Sequence, residues 1–156
     1  VIAFVNFEEG LMIAKDNPCK IKSISDLAKD SVRFVNREPG AALRTLLDDQ
    51  LERLCIPADK IAGYNNIVLN HEEGAQMLVY GLADAALGLR AVASAWGLDF
   101  ITMETVRCDI IIPIDLMDHH AIRTMLDILQ TRAFRDELAQ LPGYDNKETG
   151  KLIAAI

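Results

Sequence analysis

The segment that decides the fold runs from Val32 to Leu47 and reads VRFVNREPGAALRTLL. Its first residues, Val32–Val35, predict a short strand, and a loop with proline and glycine then opens directly onto a helix. The first turn of a helix has backbone N–H groups without helical partners and a partial positive charge, so it favours anions. Because Arg37 and Arg44 flank this junction, the segment predicts a pocket for a small anion.

The helix in this segment is predicted over residues 40–54 from the spacing of its leucines. They recur three or four residues apart on one face, which predicts packing against a core. The leucines of this face are Leu43, Leu46, Leu47, Leu51 and Leu54. Pro39 is predicted to occupy the first helical position, where its missing N–H costs nothing.

Strands and helices alternate from Val32 to Met103. The further predicted strands are Ile61–Tyr64, Ala83–Leu87 and Phe100–Met103, and the further predicted helices are Asn70–Tyr80 and Leu89–Trp96. This order predicts an α/β fold with a parallel sheet and right-handed crossovers. Ligands of open parallel sheets lie at the carboxyl ends of the strands. The loops Asn36–Ala42 and Leu87–Arg90 fall at that edge.

Outside this region the sequence predicts shorter elements. Strands are expected at Val1–Phe4, Gly10–Ala14 and Asp109–Pro113, a short helix at Ser23–Ala28, and two amphipathic helices after residue 113. The chain opens directly in a predicted strand, so we expect a fragment of a longer protein.

The first candidate site is the loop that precedes the leucine-rich helix. Backbone N–H groups of Gly40, Ala41 and Ala42 are expected to point at an anion, beside Asn36. Arg37 or Arg44 would add charge-assisted hydrogen bonds. The alternative is an ordinary strand–helix connection with solvated arginines.

Three further residues are predicted to line the edge of this pocket. His71 follows a predicted helix cap at Asn70, and it is either a donor to the ligand or a surface residue. Gly88 and Arg90 leave a predicted strand. Arg90 either closes the pocket or pairs with an acidic residue, Asp84 or Asp99.

Composition excludes several classes of function. The chain has 16 basic and 23 acidic residues and a net charge of −7, which argues against binding to nucleic acid or an anionic membrane.

Its three cysteines, Cys19, Cys55 and Cys108, have no metal-ligand spacing and predict free, mostly buried thiols in a reducing, cytoplasmic compartment. No catalytic motif stands out. We therefore expect a non-enzyme without cofactor, metal or membrane span.

A set of short markers in a fixed order resembles one known family. The chain resembles the periplasmic-binding-protein-like domain that is fused to molybdopterin-biosynthesis proteins or to helix-turn-helix regulators. The markers that carry this resemblance are Glu8–Met12, Asn17-Pro18, Arg33–Arg37 with Gly40 and Arg44–Asp48, Gly63-Tyr64, His71, Gly81–Ala85, Leu87–Arg90, Leu98–Phe100, Asp109–Pro113, Leu141–Asp145 and Thr149-Gly150.

The resemblance implies a type II periplasmic-binding fold, in which two α/β lobes hold a ligand in the cleft between them. Residues 20–106 would form one complete lobe. Residues 1–19 and 107–156 would form the crossing strands and a partial second lobe, with the crossings at Gly10–Ala14 and Asp109–Pro113. We expect a homo-oligomer or an upstream domain to cover the partial lobe.

The resemblance also implies a ligand such as molybdate, tungstate or a molybdenum-cofactor precursor. Relatives usually have Gly-Ser-Gly-Thr-Arg where this chain has Gly40–Arg44, so two hydroxyl groups are missing, and a larger or organic anion would suit Ala41, Ala42 and Leu43 better. The expected function is a small-anion sensor or delivery module that works by cleft closure. The alternatives are a solute-binding component of an ABC-type uptake transporter and a regulatory domain of a molybdopterin-biosynthesis enzyme.

Overall fold

The structure is a computed structural model that describes residues 1–155. It divides into two compact units, one formed by Glu9–Glu104 and the other by Val1–Glu8 with Thr105–Ile156. Residues 9–19, which the sequence assigned with the partial lobe, belong to the first unit. The chain passes between the units inside two long strands, at Glu8/Glu9 and at Glu104/Thr105.

Strands and helices alternate through the larger unit. The strands of the described residues are β1 (Ile2–Ile13), β2 (Phe34–Arg37), β3 (Ile67–Val68), β4 (Ala85–Leu89), β5 (Asp99–Ile110) and β6 (Tyr144–Asp145). The α-helices are α1 (Ala42–Arg53), α2 (His71–Val79), α3 (Arg90–Ala95), α4 (His120–Gln130) and α5 (Arg132–Ala139). Short 3₁₀ helices lie at Ile24–Ala28, Ala58–Lys60 and Ile114–Leu116.

The sheet of the larger unit has the order β3-β2-β4-β1-β5. Strand β2 runs parallel to β3 and β4, as predicted, but β1 runs antiparallel to β4, so the sheet is mixed. Gly10 lies opposite Gly88 in the β1–β4 pair. A Cβ atom at Gly10 would lie 2.0 Å from the Ile101 carbonyl oxygen, so close approach of the backbones requires glycine there.

Helices pack on both faces of this sheet. Neighbouring residues of a strand point to opposite faces, so Phe34 enters one core and Val35 the other. The first core receives the leucines of α1, and Leu43, Leu47 and Leu51 are buried as the spacing predicted. Leu46 is half-buried and Leu54 is exposed, because helix α1 ends at Arg53. The second core contains the buried face of α2.

The predictions for the segments on either side of helix α1 are wrong. Residues 61–64 form a turn rather than a strand, because Gly63 adopts a φ of +94° and its backbone lies against Phe34, where a Cβ atom would be 1.9 Å from the carbonyl oxygen. Pro39 is not the first helical residue: helix α1 begins at Ala42. A turn comes first, closed by the Ala41 N–H group donating to the Glu38 carbonyl at 3.2 Å.

The predicted pairs of short strands at the chain ends are single long strands. The predicted strands Val1–Phe4 and Gly10–Ala14 merge into β1, which ends at Ile13. Phe100–Met103 and the first two residues of the predicted strand Asp109–Pro113 lie in β5. The strand prediction is wrong for residues 111–113, which follow the end of β5 at Ile110. Strand β1 continues through the polar residues Asn6, Glu8 and Glu9 because its first half pairs with β6 and its second half pairs with β4.

The smaller unit contains the remaining ends of β1 and β5 with β6, α4 and α5. Phe4 stacks on Phe134 with ring centroids 6.4 Å apart, and the Val1 amino group donates to the Ala154 carbonyl at 2.8 Å. An apolar groove of about 620 Å³ lies beside α4, and several large apolar side chains of this unit are exposed, among them Ile111 and Ile114. The covering of this unit by an oligomer or an upstream domain stays a prediction.

Three whole-chain features bear on the expected chemistry. The cysteines are free, but Cys55 is exposed and the other two are only partly buried. Within residues 1–155 no helix is both long and apolar enough to cross a membrane. The same residues hold no cluster of three His, Cys, Asp or Glu side chains suited to a metal ion.

An ion pair joins the starts of the two central parallel strands. The Asp84 carboxylate accepts from the Arg33 backbone N–H at 2.8 Å, from its Nε at 2.9 Å and from its Nη2 at 2.8 Å. Arg33 also donates to the Gly81 carbonyl at 2.8 Å. The hydrogen bonds from Arg33 hold the pKa of Asp84 below its usual range.

We expect Asp84→Asn to lower the free energy of unfolding by about 1–3 kcal/mol, because three donors of Arg33 lose a charged acceptor. The lowered pKa makes this contribution present above the unfolded-state value, near 3.8, and lost as pH falls through the folded-state value. Urea unfolding of both proteins at neutral and acidic pH checks this.

The matched control is Asp49→Asn on the exposed face of α1. The difference in the free energy of unfolding between wild type and Asp84→Asn should become smaller in acid. Asp49→Asn should unfold with nearly the wild-type free energy at both pH values. Equal stability of all three proteins at neutral pH would contradict the role of this pair.

Candidate functional site

The carboxyl ends of the parallel strands bring the predicted site residues to one edge of the larger unit. Arg37 is the last residue of β2, and Arg90 directly follows β4. His71 opens α2 three residues after β3. The parallel register, with Val35 opposite Ala86, places the ends of β2 and β4 level with each other.

Arg37 is the centre of this edge. Its side chain is 12% exposed, so a permanently charged guanidinium is largely removed from water. Its Nη2 donates to the Leu69 carbonyl at 3.1 Å, and its Nη1 lies 3.1 Å from Nδ1 and 3.4 Å from Nε2 of His71. The Nε and Nη2 groups also donate to the two carboxylate oxygens of Glu38, at 2.9 and 3.0 Å.

His71 contacts Arg37 as a neutral imidazole. Burial lowers the pKa of His71, and the charge of Arg37 lowers it further. A hydrogen bond to the Leu87 backbone and nearby carboxylates oppose this shift without cancelling it. Because a guanidinium only donates, the ring nitrogen that it contacts accepts, and the imidazole is then unprotonated.

Arg44 lies behind Arg37. Its Nη1 donates to the Arg37 carbonyl at 2.9 Å, and its guanidinium stacks over the Tyr64 ring at 4.9 Å. The Tyr64 hydroxyl in turn donates to Asp48 at 2.7 Å. The structure thus gives Arg44 contacts that position the end of β2, and its predicted contact with an anion stays a prediction.

Asn36 and Gly88 are buried among protein atoms. The Asn36 amide is fully buried, donates to the Tyr64 carbonyl at 3.1 Å and accepts from the Arg37 N–H at 2.9 Å, so it supports Arg37 from behind. A Cβ atom at Gly88 would lie 2.5 Å from Sδ of Met12, so any other residue there would have to displace the buried Met12 side chain.

Arg90 does not pair with Asp84, which Arg33 occupies. It donates to the Thr102 hydroxyl at 2.8 Å and lies over the Phe100 ring at 4.9 Å, both on β5. These contacts hold the guanidinium against β5, which β1 separates from β4 in the sheet.

Helix α1 begins at this edge without a side-chain cap. Its N-cap residue is Ala41, which has the extended backbone of an N-cap but no oxygen to offer the first turn. Gly40 precedes it at a φ of +92°, with open space around it, and Ala42 is exposed. The Leu43 side chain, by contrast, is buried in the core and is not available to a ligand.

The predicted set of site residues did not include the acidic residues around Arg37. The Glu38 carboxylate accepts hydrogen bonds directly from the guanidinium. On β1, burial raises the pKa of the half-buried Glu9, and the positive charge of Arg37 opposes that rise. The adjacency of Arg37 and Glu38 was a visible signal, but side chains of adjacent residues on a strand usually point apart. The turn at 38–41 is what lets them meet.

The chain belongs to the PBP superfamily domain family, whose model matches residues 1–130. It is 33% identical over 144 residues to the protein YvgK of Bacillus subtilis (strain 168), covering 92% of this chain and 46% of YvgK. It is 30% identical over 112 residues to a protein in the ferredoxin 2Fe-2S gene 5′ region of Clostridium pasteurianum, covering 71% of this chain and 99% of that one. The chain thus spans about half the length of YvgK.

Solved structures of binding proteins share its α/β fold. PEB3 with bound L-phospholactate has a TM-score of 0.62 at 18% identity, with 91% of this chain and 66% of PEB3 covered. The ancestral amino acid-binding protein AncCDT-1 has a TM-score of 0.57 at 20% identity, and the match covers 86% of this chain and 57% of AncCDT-1. The probable amino-acid ABC transporter extracellular-binding protein ytmK from Bacillus subtilis has a TM-score of 0.56 at 13% identity. The match covers 92% of this chain and 62% of ytmK.

The chain is therefore a periplasmic-binding-protein-like domain with a mixed α/β fold.

We expect the His71 ring to titrate below its usual value of 6.5 because of burial and the Arg37 charge. Arg37→Gln removes that charge, so the midpoint of His71 should rise. A pH titration of the ring signals by NMR measures both values. Arg53→Gln, at the end of α1, is the charge-matched control and should leave the midpoint unchanged; an equal shift in both variants would contradict the contact.

Ala41→Ser should supply the missing cap of α1 and stabilise the protein by about 0.5–2 kcal/mol. The serine hydroxyl would accept from an N–H group of the first turn, and thermal unfolding measures the gain. The control is Ala58→Ser, outside α1, for which no such gain is expected. No stabilisation in Ala41→Ser would indicate that the first-turn N–H groups already have acceptors.

Proposed function

We propose that this domain binds a small anion, preferably an organic carboxylate, at the edge formed by Arg37 and His71, and acts as a non-catalytic sensor or delivery module. One observation carries the proposal: an arginine side chain only 12% exposed, that of Arg37, lies at the carboxyl ends of parallel strands, where such folds bind ligands. The Glu38 carboxylate offsets the desolvation cost of this charge in the structure, and an anionic ligand could do so in its place.

The chemistry of the surrounding groups supports a planar carboxylate. The guanidinium fork matches the two oxygens of a carboxylate, and charge-assisted pairs of this kind are strong and directional. The uncapped start of α1 supplies N–H groups for a second anionic or polar group of the ligand. Residues 41–43 offer no hydroxyl to surround a tetrahedral oxyanion. Molybdate, tungstate and molybdenum-cofactor precursors remain ligands to be tested.

The ligands of the neighbouring structures agree with this preference. PEB3 was solved with L-phospholactate and AncCDT-1 is an amino acid-binding protein, and both kinds of molecule carry a carboxylate. Closure of a cleft on the ligand, as in the expected mechanism, would turn binding into a signal or a transfer. The cytoplasmic location and the lack of enzymatic activity stay predictions.

A second candidate function is the solute-binding component of an uptake transporter. The likeness of the fold to ytmK favours it. A regulatory domain of a molybdopterin-biosynthesis enzyme stays a prediction from the resemblance alone.

Thermal shift of the purified chain tests the proposal with molybdate, tungstate, sulfate, phosphate, L-phospholactate and amino acids. Binding stabilises a protein by about 2.7 kcal/mol at a hundredfold excess of ligand over Kd. We expect a shift with carboxylates and its loss in Arg37→Gln and Arg44→Ala. Arg44→Ala should also unfold earlier without ligand, since the Arg37 carbonyl and Tyr64 lose their partner, so the ligand-induced difference is the readout.

The control variant is Arg53→Gln, which should retain the full shift. A shift that survives Arg37→Gln would place the ligand elsewhere. A shift with molybdate and tungstate but not with sulfate or carboxylates would make the domain a metal-oxyanion sensor. No shift with any anion would contradict the proposal for this chain.

A further inference from the structure

The carboxylate of Glu38 already occupies the guanidinium fork of Arg37. Its Oε2 accepts from Nε at 2.9 Å and its Oε1 accepts from Nη2 at 3.0 Å. Two parallel hydrogen bonds from one guanidinium edge to one carboxylate are the geometry with which arginine recognises carboxylate ligands. Glu38 therefore has the chemical form and the position that the proposed ligand would take.

The two partners differ in how firmly they are held. Arg37 is 12% exposed and has further contacts with the Leu69 carbonyl and His71, whereas the Glu38 side chain is 37% exposed. Glu38 also lies in the turn that precedes α1, beside an exposed proline and glycine. Because the Glu38 side chain is partly exposed, its rotation would release the carboxylate without a change in the backbone, which Pro39 restricts. Arg37 is the fixed member of the pair and Glu38 the removable one.

We propose that Glu38 is an internal competitor for the anion site, which a ligand carboxylate displaces from Arg37. This rests on the proposed function, since it concerns access to the same guanidinium. The exchange is balanced in charge: the ligand takes over the hydrogen bonds to Arg37, and Glu38 turns its ionised carboxylate to water. The buried guanidinium keeps an anionic partner in both states.

An internal competitor sets a threshold for binding. A carboxylate on the neighbouring residue is present at a high effective concentration, so an anion that offers only the same two hydrogen bonds displaces it poorly. A ligand with a second anionic or polar group gains contacts that Glu38 cannot make, for example at the uncapped start of α1. Glu38 thus selects against simple carboxylates and in favour of bifunctional ones.

Removal of the competitor should raise affinity most for the simplest probe. Calorimetric titrations would use acetate, inorganic phosphate and L-phospholactate with the wild type, Glu38→Gln and Glu38→Ala. We expect both variants to bind acetate roughly threefold to fivefold more tightly than the wild type, in line with the strength of a partly exposed ion pair. The relative gain for L-phospholactate should be no larger.

The matched control is Glu72→Gln. Glu72 is exposed in the first turn of α2 and its charge acts on His71, so this variant removes a negative charge near the site without removing the Arg37 ion pair. We expect less than a twofold change in acetate affinity. An equal gain in acetate affinity in Glu72→Gln and Glu38→Gln would mean that the loss of one negative charge explains the effect, and it would overturn the proposal.

A measurement without ligand separates this proposal from the proposed function. The Nε–H proton of Arg37, followed by NMR, should exchange with water faster in Glu38→Gln than in the wild type or in Glu72→Gln. Unchanged exchange would overturn the internal competitor whatever anions bind. Unchanged or weaker anion binding in both Glu38 variants, with clear L-phospholactate binding to the wild type, would overturn it and leave the proposed function intact. Binding of no probe to any variant would overturn both.

Discussion

The ion pair between Arg33 and Asp84 aligns the two central parallel strands, and the site depends on that alignment. The Arg33 carbonyl accepts from the backbone N–H groups of Asp84 and Ala85, while the Asp84 carboxylate accepts from the backbone and side chain of Arg33. These bonds lock β2 and β4 in register at their amino ends. Four residues beyond Arg33, the chain places Arg37 at the carboxyl end of β2, level with the end of β4.

The second constraint is the burial of the Arg37 charge. A guanidinium removed from water needs acceptors on every side, and the fold supplies the Leu69 carbonyl, a neutral His71 and the Glu38 carboxylate. Each acceptor comes from a different kind of element: a loop, a helix start and a turn. Arg44 and Asn36 hold the backbone of Arg37 from behind. The result is a rigid cation with one exposed and exchangeable partner.

Local patterns predicted the elements that depend on neighbouring residues. The leucine spacing placed α1, and its residues Leu43, Leu47 and Leu51 are buried as expected. The Asn70 cap is confirmed, since its side-chain oxygen accepts from the Glu73 N–H at 2.8 Å. The strand expected at 61–64 was wrong because the requirement for Gly63 comes from Phe34, which is distant in sequence. The merging of the terminal strands likewise depends on partners that no local pattern reveals.

The sequence by itself determined the alternation of elements, the caps and the location of an arginine-flanked helix start, because these follow from side chains within a few residues of one another. Only the tertiary structure decided what each polar residue does. In the folded chain Asn36 is buried, the Arg44 guanidinium stacks on the Tyr64 ring, and Asp84 pairs with Arg33 rather than with Arg90. Such pairings join residues up to 51 positions apart. They depend on strand order and register, which bring groups together across the sheet and leave no signature along the chain.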